Sequence, residues 1–269
     1  MKKIQHSIPQ LLFIFLLVTA CSVVPVTGRK QLKLLPESTM IEMGLTSYNE
    51  FLKEIKLSKD EANAQMIKKV GSNLSSATNR FLRNNGLASE ISSYKWAFNL
   101  VEDKTVNAWC MPGGKIVFYT GILPVVKNEQ GAAVVMGHEI AHAIAKHGNE
   151  RMSQGLVQQF GGIALAVALK DKPAETQQLF QAAYGITSNV AVMLPFSRKQ
   201  EYEADRIGLI LMAMAGYNPN EALSLWKRMA AQSAIGTPAF LSTHPSDAKR
   251  IEQIKKYIPE AMKYYNKKK

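Results

Sequence analysis

Only two cysteines, Cys21 and Cys110, occur in the 269 residues, so no disulfide framework holds this fold together. Long apolar runs are also missing. The stretches Leu11–Val18 and Gly161–Leu169 are far shorter than the roughly 20 residues of a transmembrane helix. Acidic residues are scarce beside basic ones, 21 against 33, for a formal charge of +12. That excess suits an anionic membrane surface or acidic substrates. No basic helix or aromatic-basic motif of nucleic-acid readers accompanies it, so nucleic acid is not an expected partner. A hydrophobic fraction of 46% in a chain of this length is enough to bury one substantial core.

The most informative stretch is Met136-Gly-His-Glu-Ile-Ala-His142. His138 and His142 are four apart and share one face of a helix, so both imidazoles can point at one ion. Two imidazoles on a rigid helix suit Zn2+, which takes nitrogen ligands in tetrahedral geometry. Glu139 lies one position past the first histidine, off that face, and is placed to serve as general base toward the water a metal activates. Asn128 is a candidate cap for this helix, the apolar run Ala132–Met136 leads into it, and Gly148 is a candidate left-handed terminator.

Taken in order, residues 1–20 read as a leader: Lys2 and Lys3, then a short apolar run, then small residues before Cys21. Val18-Thr19-Ala20-Cys21 resembles a bacterial lipobox, which makes Cys21 a lipidation site and membrane anchor; the plainer reading is an ordinary signal peptide with Cys21 as bystander. The lipobox reading places the protein in a bacterial cell envelope, facing the periplasm, with Ser22 favouring the outer membrane. Residues 21–35 read as a lipidated tether and residues 36–269 as the folded domain. One helix is expected from near Ser38, and a second opening with Ser58-Lys-Asp-Glu61 as a capping box and running to Asn84. Alternation at Tyr94, Trp96, Phe98 and Leu100 predicts a strand, Val106–Cys110 a second with Cys110 buried, and Lys115–Thr120 a third after a type II turn at Pro112-Gly113. This small antiparallel sheet precedes the histidine helix and is either a structural hairpin or an edge that binds substrate as an added strand. Helices are expected over 152–169 and 174–194, and Asn218 and Pro219 are suited to start another.

A catalytic zinc takes three protein ligands and keeps one position open. The pattern of a third histidine six residues after the second fails here, because Ala145 and Gly148 occupy the diagnostic positions. Glu201 and Asp205, four apart on a predicted helix, are the alternative: Glu201 as ligand, Asp205 orienting a ligand histidine through its free N–H. Glu203 points elsewhere and reads as structural or solvated. His147, five past His142, reads as a helix C-terminal histidine favoured by the dipole. His244, in Ser242-Thr-His-Pro-Ser246, can bond a transition-state oxyanion, approach the metal when substrate is absent, or simply order its loop.

Four motifs in this order carry a resemblance: Asn107-Ala-x-x-x-Pro-Gly-Gly114, Gly137-His-Glu-Ile-Ala-His142, Ser197-Arg-x-x-Glu-x-x-Ala-Asp205 and Thr243-His-Pro-Ser246. The chain is similar to the zinc metallopeptidases that include bacterial HtpX, the CAAX prenyl endopeptidases and the mitochondrial inner-membrane stress protease. Pro25-Val-Thr-Gly-Arg29 is similar to their periplasmic lipoprotein members. The resemblance implies an α+β, mainly α, gluzincin-like fold with the small sheet beside the His138 helix. It also implies His138, His142 and Glu201 as zinc ligands, Glu139 as base, and Asn107 and Ala108 at the substrate. The chain lacks the transmembrane helices of the membrane members. The expected function is therefore zinc-dependent endoproteolysis of misfolded or damaged envelope proteins, with protein or peptide as partner. Its rivals are a zinc-containing, chaperone-like binder of unfolded proteins and a hydrolase of cell-wall amides.

Overall fold

A computed structural model describes residues 21–160, 173–184, 197–232, 238–245 and 248–265. The leader at 1–20, and the parts of the two expected helices at 161–172 and 185–196, lie outside the described residues, as does Ser246. The described chain runs β1 (Cys21–Val23), β2 (Lys30–Leu32), α1 (Glu37–Glu54), α2 (Glu61–Asn84), β3 (Ala97–Val101), β4 (Ala108–Met111), β5 (Lys115–Tyr119) and α3 (Leu123–Val126). It continues with α4 (Glu129–Ile144), α5 (His147–Phe160), α6 (Pro173–Tyr184), α7 (Arg198–Met214), α8 (Glu221–Gln232), α9 (Ala239–Thr243) and α10 (Ala248–Met262). The expected α+β, mainly helical architecture is what forms. Among the described residues no helix is long and apolar enough to cross a membrane.

Everything is arranged about α4. Its apolar run gives it no polar face, so it is buried from Gly131 to Ile144 and packs with α2, the sheet and α7 in one core. Asn128 caps it as expected, its side-chain oxygen accepting from the amides of Gln130 and Gly131. The helix ends earlier than the glycine suggested. Lys146, at φ 60°, makes the left-handed turn, and Gly148 already belongs to α5. Lys146 holds that turn through Glu37, Glu90 and the Tyr94 hydroxyl. Gly148 serves a different purpose: a Cβ there would collide with the Tyr184 ring. The second helix starts from Asp60, whose carboxylate accepts from the Asn63 amide, rather than from Ser58.

The three-stranded sheet has the order β3-β5-β4. β4 and β5 are antiparallel across the expected turn, where Gly113 at φ 78° follows Pro112 and the Gly114 amide donates to the Met111 carbonyl. β3 instead joins the far side of β5 in parallel, which makes the sheet mixed. A parallel neighbour needs a connection across the sheet, and alternation within one strand carries no information about that partner. Tyr94, Trp96 and Phe98 still project on one side, as a stack of three rings.

Residues 21–35, expected as a tether, are packed into the domain. β1 and β2 pair antiparallel, Val24 and Leu35 are buried, and the Gln31 side chain donates to the Ala145 carbonyl at the end of α4.

The contact that matters most for function is between α4 and α7. A Cβ on Gly137 would lie 2.9 Å from the Gly208 carbonyl oxygen, and one on Gly208 2.9 Å from Gly137 carbon and His138 nitrogen. The two helix backbones touch at this pair, with His138 directly beside the crossing. Alanine is a better helix former than glycine by about 1 kcal/mol, so Gly208→Ala would stabilise an unopposed helix. Here it must push the helices apart. We expect a loss of about 1–3 kcal/mol in urea unfolding together with weaker zinc retention, and a gain in stability would show the crossing to be loose.

Candidate metal centre

α4 presents His138 and His142 one turn apart. α7, started by a complete Ser197–Gln200 capping box, presents Glu201 and Asp205 one turn apart. Where the helices meet, these groups face each other, and His244 at the end of α9 closes the cluster. One ligand atom from each of His138, His142, Glu201 and His244 lies within 4.8 Å of all the others. His138 Nε2 and His142 Nε2 are 3.0 Å apart, His142 Nε2 is 3.3 Å from Glu201 Oε1, and His244 Nδ1 is 3.1 Å from the same oxygen. All four residues are buried. The expected ligand triad and His244 are thus brought together.

Electrostatics fit a cation. Burial opposes ionisation of Glu201, yet the Arg250 guanidinium, with the neighbouring His244 and His138, holds its pKa well below the usual carboxylate range. Burial, aided by the charge on His138, pushes His142 down, and burial lowers His244 to about 4. Both rings are neutral, as ligands must be. Burial lowers His138 too, but Glu201 and Asp205 override it and raise the ring to about 9. The cluster therefore calls for one positive charge at its centre, which a proton on His138 or a metal ion supplies. Nitrogen and carboxylate donors in this number suit zinc. A further sign of fit is an orphaned buried atom: Glu139 Oε1 makes no hydrogen bond and lies 3.4 Å from His244 Nε2. Glu139 is outside the four-residue ligand set, and burial raises its pKa to about 8.

Asp205 stands behind His138, its Oδ1 3.0 Å from Nδ1, leaving Nε2 to face the cluster. Asn107 and Ala108 line a small cavity with Cys110, Glu139, His142 and His244. The Tyr119 amide donates to the Asn107 carbonyl, so strand alternation turns the peptide groups of the buried Ala108 and Cys110 away from β5, toward the side of β4 on which no strand pairs among the described residues. The Ala108 amide is held by the Asn107 side chain, at 2.9 Å. The cavity has about 10 Å³ of open space, room for roughly one water.

Three residues carry more of the site than the sequence suggested. Glu203, read as structural or solvated, is buried against His147. His147 lies beyond the α4 helix, fully buried, with Nδ1 2.9 Å from His142 Nδ1. Arg250 was not recognised at all. Its guanidinium bonds both Asp205 oxygens at 2.8 and 2.9 Å, approaches Glu201 to 2.6 Å and lies over the Trp226 ring. It also donates to the carbonyls of His244 and Pro245. Only its place six residues past His244 hinted at it. Removing one partner of such a buried charge group is costly. Arg250→Met is expected to destabilise the protein by about 3–5 kcal/mol in chemical unfolding, and a loss under 1 kcal/mol would remove Arg250 from this role.

A helix pair carrying two histidines and a glutamate that could hold a metal, with a further buried carboxylate beside them and a small sheet next to it, fits the class of zinc metallopeptidases. Comparison with known proteins is specific: residues 69–258 match the model of peptidase family M48. The chain belongs to peptidase family M48. It is 42% identical over 176 residues to the mitochondrial metalloendopeptidase OMA1 of Schizosaccharomyces pombe, which covers 64% of this chain and 50% of that protein. Human mitochondrial metalloendopeptidase OMA1 is 29% identical over 265 residues, 94% of this chain and 49% of the relative. The β-barrel assembly-enhancing protease of Escherichia coli is 28% identical over 177 residues, 61% of this chain and 35% of the relative. The chain spans about half the length of the OMA1 relatives from S. pombe and human. These relatives also correct the expected location. The names of several, from yeasts and mammals, place them in mitochondria, and a bacterial outer-membrane location is not retained for this chain.

Proposed function

We propose that the chain is a zinc-dependent endopeptidase that cuts misfolded or damaged proteins near a membrane surface, with His138, His142 and Glu201 as ligands and Glu139 as general base. The observation that carries this is the shared cavity: Glu139, whose Oε1 makes no hydrogen bond, His142 and His244 of the cluster, and Ala108–Cys110 of β4 line one place. An unfolded segment can pair with the Ala108–Cys110 edge through backbone groups, a mode that takes many sequences. Bound zinc would lower the pKa of a water to about 7 and polarise the scissile carbonyl. Glu139 accepts the proton of the attacking water and delivers it to the leaving amine. Asp205 holds His138 in the tautomer that frees Nε2, and Arg250 keeps Asp205 and Glu201 ionised in a dry site. His244, turned into the cluster, occupies the position substrate needs and moves aside when a peptide enters. The Ala108 amide is released from Asn107 at the same step. Membrane attachment through lipid on Cys21 is part of the reading, resting on Val18-Thr19-Ala20-Cys21.

Digestion of an unfolded protein by the zinc-loaded chain, with a chelated control, tests the activity. Fragments from the loaded protein alone are expected. Tight capture of the unfolded protein without cleavage would favour a binding module, and release of wall fragments a wall hydrolase. The intact mass of the protein recovered from membranes tests the lipid.

A further inference from the structure

His138 and His142 face one centre, but their back sides are held differently. Behind His138 a carboxylate is in direct contact, Asp205 at 3.0 Å. Behind His142 stands another imidazole. His147 Nδ1 is 2.9 Å from His142 Nδ1, and His147 Nε2 is 3.2 Å from Glu203 Oε2. Since His142 Nε2 is the atom facing Glu201 and His138, its proton belongs on Nδ1, donated to the lone pair of His147 Nδ1. His147 must then carry its own proton on Nε2 and donate it to Glu203. This order of donors and acceptors satisfies both ring nitrogens of two neutral, buried histidines.

Glu203 completes this relay only while it is correctly aimed, and what aims it comes from the start of the described chain. Thr27 Oγ1 donates to Glu203 Oε1 at 2.6 Å, and Arg29 Nε to Oε2 at 2.8 Å. The rest of the Arg29 fork grips both oxygens of Glu150 on α5, at 2.6 and 2.7 Å, and Gln200 of α7 donates to the same Glu150. The turn bearing Thr27 and Arg29 is itself fixed. Val26 and Gly28 adopt left-handed φ of 70° and 69°, and the Val24 amide donates to the Arg29 carbonyl. Arg29 has a quarter of its side chain exposed, whereas His147 is fully buried.

We propose that the arm Thr27–Arg29 is a positioning element of the zinc centre: through Glu203 and His147 it sets the tautomer and orientation of His142, as Asp205 does directly for His138. The inference rests on the zinc-site reading and is independent of substrate. It assigns the arm a share in holding the metal, so that lifting the arm from Glu203 loosens zinc held some three residues away. An apolar contact would serve packing alone as well, without the cost of burying a carboxylate and two imidazoles.

The test is zinc affinity of the full chain, measured by competition with a chromogenic chelator, with far-UV circular dichroism and melting of the metal-free proteins as the folding control. Glu203→Gln is expected to bind zinc about 10-fold more weakly, the lower end of what outer partners of ligand histidines contribute. Arg29→Met should show a loss in the same direction, and adding Arg29→Met to Glu203→Gln should cost nothing further, because both act along one path. The Co2+-loaded variants should show a shifted visible spectrum, a signature that a packing defect away from the ligands does not produce. Zinc affinity within twofold of the parent in both folded single variants, or losses that multiply in the double variant, would overturn the proposal. If Glu203→Gln fails to fold, Thr27→Val removes one hydrogen bond to the same carboxylate. An unchanged zinc affinity and Co2+ spectrum in Thr27→Val would overturn it equally.

Discussion

Glu139→Gln is expected to cut peptide hydrolysis about 10²–10⁴-fold while leaving zinc bound. The glutamate is adjacent in sequence to His138 yet outside the four-residue cluster that could hold a metal, and its Oε1 is buried with no hydrogen bond. An amide of the same shape fills the space but cannot take a proton from water. Burial has raised the Glu139 pKa to about 8, so near neutral pH the metal-free protein holds this side chain mostly protonated. Glutamine therefore resembles the resting state, and metal content should be unaffected. The same shift gives a pH signature. A carboxyl whose folded pKa lies above its unfolded value contributes stability that is complete below the unfolded value and is lost as pH rises through the folded one. The chelated wild type should lose stability between the ordinary carboxylate range and pH 8, and chelated Glu139→Gln should lose less. Equal hydrolysis by the two zinc-loaded proteins would remove Glu139 from the reaction.

Glu201→Ala is expected to release the metal. Two imidazoles on one helix cannot complete a zinc site, and Glu201 is the group that a second helix brings to them. The loss in zinc affinity should exceed about 100-fold, above the range that outer partners account for. Zinc should raise the melting temperature of wild type, because it binds the folded form, and leave Glu201→Ala unmoved. His244→Ala is the necessary contrast, since its ring lies in the same cluster. It should keep its zinc and cleave unfolded protein faster than wild type, the blocking ring having been removed. Retention of zinc by Glu201→Ala with its loss from His244→Ala would reverse the two assignments.

The parts of the site that depend on one helix were legible in the sequence. His138 with His142, and Glu201 with Asp205, share faces because a helix repeats nearly every four residues, and Asn128 caps as its short side chain allows. Legibility ended where a partner lies far along the chain. Arg250 looks like any helix arginine until Asp205 and Glu201 are beside it. Glu203, off the face it would share with Glu201, reads from spacing as structural or solvated, but it faces a histidine from another helix. His147 belongs to the start of α5 and not to the end of α4. A glycine at 148 is the natural terminator by conformational freedom, but the ion pairs of Lys146 with Glu37 and Glu90 support the left-handed turn two residues earlier. The sheet shows the same limit, since alternation identified β3 as a strand but not its parallel place beside β5.

The sequence by itself determined the chemistry on offer: two imidazoles, a carboxylate beside them, two further carboxylates at helical spacing, and a strand pair ahead of them. Tertiary structure decided which of these groups meet, through the glycine-to-glycine contact of α4 and α7, the buried charge of Arg250 and the arm that holds Glu203. The physical reason is range. Helix periodicity and capping act within a few residues, whereas charge compensation and close packing join residues separated by scores of positions and exist only once the core has formed.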